Sequence, residues 1–194
     1  MSVEKKFSFK LESMSTGVLF NRASVMFDGS IPPTEKGDDK HAHACKYFRK
    51  KAYSLEDGRL FFPSEWFRGC LIASQGQNAC PINPAGASSK RVTLKVPFTT
   101  SVFFDDPMIP QVNGRDATIN DLEQFITTVV IKDSRIPNVR PVLNRWELTL
   151  SGIITDNLIT IENFEKALTY AGGYIGIGDW RPAKGGKFGR FKLK

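Results

Sequence analysis

Apolar and polar positions first alternate at the start of the chain, where Phe7, Phe9 and Leu11 are spaced by Lys6, Ser8 and Lys10. A period of two sets one face of a strand against a core and the other in water. The pattern returns from Trp146 to Ile154, with Trp146, Leu148 and Leu150 on one face. Two stretches carry helical spacing instead. Pro63-Ser64-Glu65 opens the first: Ser64 is placed to cap it, Glu65 suits the positive end of the dipole, and Trp66, Phe67, Cys70 and Leu71 form one apolar face that fades near Ser74. Thr160 caps the second, whose Ile161, Phe164, Ala167, Leu168 and Ala171 share a stripe and whose predicted end is Gly172.

Weaker patterns fill the rest. Val92 to Phe104 is β-branched and aromatic, which predicts a strand, bent or at an edge where Pro97 interrupts it. Asp105 to Asp116 reads as a loop, Thr118 to Phe125 as one or two helical turns, and Thr127 to Ile131 as a strand. Asp156-Asn157 is a turn, and Lys187 to Leu193 a closing strand. Residues 28–58 and 76–91 show little periodicity and are predicted to be long surface insertions. The order of elements is strand, insertion, helix, strands, helix, glycine-rich loop, strand. That predicts an α+β fold over one domain, 1–194, with a ferredoxin-like β-α-β-β-α-β core.

Composition narrows the function classes. No run of about 18 apolar residues is present, so no membrane span is expected. MSVEKKFSFK lacks a following apolar segment, so no secretory signal is expected either. Three cysteines argue against a disulfide framework and for a reducing, cytoplasmic setting. With 27 Lys+Arg against 20 Asp+Glu the net charge is +7, which favours an acidic partner such as nucleic acid.

The richest chemistry lies near the end. Residues 172–191 hold seven glycines, which allow positive φ and close approach, and freed backbone amides there are expected to form an anion-binding concavity. Arg181, Lys184, Lys187, Arg190, Lys192 and Lys194 follow Asp179 with no acid among them, and Trp180, Phe188 and Phe191 offer rings for stacking on bases. A second basic run is Lys46-Tyr47-Phe48-Arg49-Lys50-Lys51. A third set is Lys132, Arg135, Arg140 and Arg145, kept extended by Pro137 and Pro141, a form suited to a phosphate backbone. The loop lacks the strand-to-helix context of a dinucleotide fingerprint and the G-K-[ST] of a P-loop, so no nucleotide cofactor is expected. His41, His43 and Cys45 would share one face of a strand and can ligate zinc, but no second paired motif accompanies them and no metal is expected. Asp28, Asp38 and Asp39 are loop carboxylates, and no Ser-His-Asp order is readable.

Two segments resemble a known family. Tyr53 to Gly69, with Asp57-Gly58, Phe61-Phe62, Pro63 and Arg68-Gly69, resembles the acidic-Gly, aromatic, Pro, helix and basic-Gly signature of the RAMP superfamily, which includes backbone subunits of CRISPR effector complexes. The loop from Gly176 through Gly189 resembles that superfamily's glycine-rich loop. The resemblance implies a modified RRM-like core, a channel for single-stranded RNA (or DNA) between helix 63–75 and the loop, thumb-like insertions, and assembly along the strand as a homo-oligomer or as a subunit of an antiviral ribonucleoprotein. It assigns Arg68 and Gly69 to the helix motif, and Gly176, Gly178, Gly185, Gly186 and Gly189 to the loop. The resulting nucleic-acid set is Lys46, Arg49, Lys50, Lys51, Arg68, Arg135, Arg140, Arg145, Gly176, Gly178, Trp180, Arg181, Lys184, Gly185, Gly186, Lys187 and Arg190. Cleavage of bound RNA by a loop aspartate, or service as a protein-binding scaffold or inhibitor on the same fold, are the alternatives.

Overall fold

A computed structural model describes residues 4–14, 16–22, 29–75, 94–131 and 134–194, with the backbone alone for 129–131 and 134–136. Asp28, Lys132 and the expected insertion 76–91 lie outside the described residues.

Strand β1 (Lys5–Ser13) forms because its alternation is honoured: Phe7 and Leu11 are buried while Lys6, Ser8 and Lys10 face solvent. It pairs antiparallel with β8 (Glu147–Ile154), register Phe7↔Gly152 and Leu11↔Leu148, so the apolar positions of both strands share one face. The other edge of β1 receives β9 (Phe191–Leu193) through Leu11↔Leu193. The far edge of β8 takes β3 (Val102–Phe104) and, further along, the β4 (Gln111–Val112) and β5 (Arg115–Asp116) hairpin. Every neighbour is antiparallel.

Helices α2 (Ser64–Ala73) and α4 (Ile161–Tyr170) cover the apolar face. The Phe164 ring lies 4.7 Å from Phe7, and Phe67 lies 5.8 Å from Phe191 and 6.3 Å from Phe104. Fully burying each such side chain is worth about 1.5–3 kcal/mol. The opposite face stays polar, laced by Lys192–Glu12 at 2.7 Å and Lys194–Glu147 at 2.8 Å.

A second sheet orders β2 (Val18–Leu19), β7 (Ser134–Leu143) and β6 (Glu123–Ile131). β6 and β7 make a long hairpin with Phe125 opposite Arg140, and β2 adds to β7 through Leu19↔Val142. Pro137 and Pro141 lie in β7, and the Pro141 carbonyl accepts from the Phe20 amide at 2.9 Å.

Several expectations are corrected. The β-branched run predicted as a strand over 92–104 is helix α3 (Lys95–Thr100) before β3 begins, with Pro97 in its first turn, where a missing N–H costs nothing. The helical turns expected over 118–125 shrink to a single 3₁₀ turn, Ile119–Asp121, before β6 starts at Glu123. The insertion 28–58 is not irregular throughout. It holds α1 (Lys40–Tyr47), capped by Asp39, whose Oδ1 accepts the His41 amide at 2.8 Å, and then a 3₁₀ turn, Phe48–Lys51. Pro63, not Ser64, is the N-cap of α2. Thr160 caps α4 as expected, accepting the Asn163 amide at 3.1 Å. Gly172 does not end it: the chain continues through a π turn, Ala171–Ile175, and leaves at Gly176. The closing strand is only Phe191–Leu193.

Candidate nucleic-acid interface

Alternation along the hairpin puts Phe125 and Thr127 of β6 on the same face as Asn138, Arg140 and Val142 of β7. The glycine-rich loop is seated there. The Phe188 ring lies 4.8 Å from Phe125, and together with Leu19 and Val142 it forms a small core separate from the main one. Backbone bonds fix the loop: Asp179 N–H donates to Leu19 O at 2.9 Å, Gly189 N–H to Gly17 O at 2.7 Å, and Phe188 N–H to Trp180 O at 3.2 Å.

Trp180 takes φ of 46°, a left-handed conformation that bulky residues rarely adopt and that the surroundings must enforce. Gly186 is part of that enforcement, because a Cβ on it would overlap the Trp180 carbonyl. The indole rests 5.7 Å from Phe125 and stays 38% exposed. Hairpin and loop thus enclose a cleft of about 450 Å³ lined by Thr127, Thr128, Arg140, Asp179, Trp180, Arg181 and Lys184. Three cations and one carboxylate face it.

Each charge is held differently. The Arg140 side chain is 15% exposed, with one terminal nitrogen 3.3 Å from Asp179 Oδ2. That pair lacks hydrogen-bond alignment, and neither Arg140 Nε nor Asp179 Oδ2 has a hydrogen-bond partner. Lys51 sits close by, donating to Asn138 Oδ1 at 3.2 Å and Val139 O at 2.9 Å. Burial, reinforced by the charge of Arg140, lowers its pKa. Arg181 donates to Gly178 O at 2.9 Å, and Lys184 is exposed. The positive charge of Arg181 favours the Cys70 thiolate, but burial outweighs it and pushes that thiol up to about 12.

The structure assembles only part of the predicted set. Arg140, Trp180, Arg181 and Lys184 line the cleft, and Lys51 is tied to Asn138 and Val139 of β7 outside that lining. Lys46, Arg49 and Lys50 are exposed on α1 and the 3₁₀ turn after it, with Lys46 over the Tyr47 ring and Arg49 over Phe48, each at 5.2 Å. Gln124, which alternation turns to the hairpin's other face, donates to Cys45 O at 3.4 Å, so α1 lies over that other face. Arg145 is elsewhere, in a cleft of about 380 Å³ with Glu12 and Glu147. Lys187, near the end of the loop, and Arg190, just after it, are exposed, with Lys187 over the Phe188 ring at 5.6 Å. Arg68 lies on α2 with Nε buried and without a hydrogen-bond partner, and neighbouring Gly69 has open space around it. The side chain of Arg135 lies outside the described residues.

Three further readings change. Of the rings expected to stack on bases, Phe188 and Phe191 are buried at 4% and 1% exposure, leaving Trp180. Several of the loop amides are already engaged and cannot cradle an anion. Those of Gly176, Ile177, Gly185, Gly186 and Gly189 donate to Ala171, Gly189, Pro182, Arg181 and Gly17 carbonyls, so the charge complementarity here is in side chains. His41, His43 and Cys45 are helical, not extended. His41 and Cys45 share a face at 3.7 Å, His43 turns to Tyr47, and the described residues hold no group of three that suits a metal.

Thr127, Thr128 and Asp179 were absent from the predicted set. Nothing local marks them, since they become neighbours only through the hairpin-to-loop contact. Among the described residues no helix is long and apolar enough to cross a membrane. No family model and no curated protein matches the sequence.

Proposed function

We propose that this chain is a RAMP-type single-stranded nucleic-acid-binding protein that holds the strand in the cleft between hairpin and glycine-rich loop, rather than between helix 63–75 and the loop as the resemblance implies. The observation that carries the reading is the convergence of Arg140, Arg181 and Lys184 around the exposed face of Trp180. Cations at this spacing take phosphates and release counterions whatever the base sequence, while an indole stacks on any base. Trp180 is packed on Phe125 and its backbone is seated against Gly186 before the ligand arrives, which lowers the ordering cost of binding.

The ferredoxin-like reading of the larger sheet is supported by its order, β9-β1-β8-β3 with α2 between β1 and β3 and α4 between β8 and β9. Assembly along the strand, as a backbone subunit of a CRISPR-like ribonucleoprotein, completes the proposal and rests on the family resemblance. For two of the three candidate aspartates binding without cleavage is favoured, because Asp39 caps α1 and Asp38 Oδ2 accepts the Glu35 amide at 2.7 Å, which gives both carboxylates structural work.

Fluorescence anisotropy with a labelled single-stranded oligonucleotide at about 50 mM salt, where counterion release makes contacts strongest, tests the reading. Saturable binding that weakens steeply with salt is expected; no binding refutes it. An oligomer insensitive to both salt and oligonucleotide by light scattering would favour a protein scaffold instead.

A further inference from the structure

We propose that Asp179 makes the cleft a ribonucleotide site, accepting a hydrogen bond from a ribose 2′-hydroxyl and so selecting single-stranded RNA over DNA. The inference rests on the reading of the cleft as a nucleic-acid site. A carboxylate among phosphate-binding cations repels the ligand they attract; Asp179 offsets the charge of Arg140, and its repulsion of a phosphate is relieved further only by a ligand that brings it a hydrogen-bond donor. Phosphates carry none. Along the sugar–phosphate backbone of a nucleic acid, the 2′-hydroxyl of RNA is the donor, and DNA lacks it.

One carboxylate oxygen is taken up in the free protein: Oδ2 is buried, 3.3 Å from Arg140, and receives no hydrogen bond. Oδ2 is covered on the Arg140 side, yet the side chain remains 33% exposed and lines the cleft, so the rest of the group faces the ligand space. It is also fixed in place. Its amide is tied to Leu19 O at 2.9 Å, and Arg140 restrains it from behind. Arg181 and Lys184, two and five residues further on, line the same cleft, and a ribose lies next to any phosphate they hold. An acidic side chain beside a glycine-rich phosphate-binding turn takes a ribose 2′-hydroxyl in dinucleotide sites by the same logic.

The test is competition anisotropy with oligouridylate, its 2′-deoxyuridine counterpart and its 2′-O-methyl counterpart, on wild type, Asp179→Ala and Asp179→Asn. These ligands differ only at the 2′ position. Wild type is expected to bind oligouridylate at least about tenfold tighter than the other two, the worth of a hydrogen bond to a charged group. Asp179→Ala is expected to abolish the gap, with the deoxy ligand bound as tightly or more so because a negative charge is gone. Asp179→Asn, which keeps an uncharged acceptor of the same shape, is expected to narrow the gap and decides the matter if the alanine variant does not fold. Equal wild-type affinity for the three ligands, or a gap unchanged in the variants, overturns the ribose assignment alone. Failure of wild type to bind any of them removes the nucleic-acid reading beneath it.

Discussion

Replacing Arg181 and Lys184 together by glutamine removes two of the three cations that line the cleft and leaves Arg140. On a single strand each phosphate contact contributes about −0.7 to the slope of log affinity against log salt. Three contacts give a slope of about −2, so raising salt from about 50 to about 200 mM weakens wild-type binding about twentyfold. The double variant keeps one contact, and its slope is shallower by about 1.4 whatever other cations touch the strand. At about 100 mM salt the two lost contacts are worth about 25-fold in affinity. Arg145→Gln is the internal control, because Arg145 lies in the separate cleft with Glu12 and Glu147. Anisotropy titrations at four salt concentrations measure all three slopes. An unchanged slope in the double variant, or an equal loss in Arg145→Gln, refutes the assignment of the cleft.

Gly186→Ala drives a methyl into the Trp180 carbonyl and should cost about 1–3 kcal/mol, roughly 3–10 °C of Tm for a chain of this size, read by thermal melting. Gly69→Ala on the solvent face of α2, where nothing lies near the added methyl, should raise stability by up to about 1 kcal/mol; weaker oligonucleotide binding by that stabilised variant would support the helix motif as a contact. Asp121 is held at about 2, chiefly by its pairing with Arg115 and then by Thr118, below its ordinary 3.8. A depressed carboxylate stabilises fully above its unfolded pKa, so this contribution should vanish as pH falls from about 4 to 2. Denaturant midpoints should show a loss below about 2 kcal/mol, reduced by the solvent exposure of Arg115 and absent in Asp121→Asn. Cys70, raised to about 12 by burial, should resist iodoacetamide at pH 8 in the native state and react in urea, while half-buried Cys45 reacts in both by peptide mapping.

The elements legible in the chain are those whose own periodicity matches their environment. β1, β8, α2 and α4 each bury one face against a single core, so Phe7, Leu11, Leu148 and Phe164 announce them. Where the local pattern misleads, a tertiary contact is responsible. Val96 reads as strand because β-branched residues favour extended backbone, but α3 packs Phe98 and Pro97 inward. Lys40–Tyr47 has too weak an apolar face to betray a helix, and that helix is set by the Asp39 cap and by its place over the hairpin.

The site divides the same way. The sequence by itself determined that cations, a tryptophan and glycines cluster near the end of the chain, because residues adjacent in sequence cannot be far apart. It determined neither which cations meet nor what the glycines are for. Arg140 reaches Asp179 only because β6 pairs with β7 and the loop adds to β2, contacts between residues far apart in the chain. Many of the loop amides, free in any reading of the sequence, are spent on Ala171, Leu19, Gly17 and one another once the chain is folded. A polar backbone taken from water must find partners within the fold. That accounting is settled by the tertiary structure, and it leaves side chains to receive a ligand.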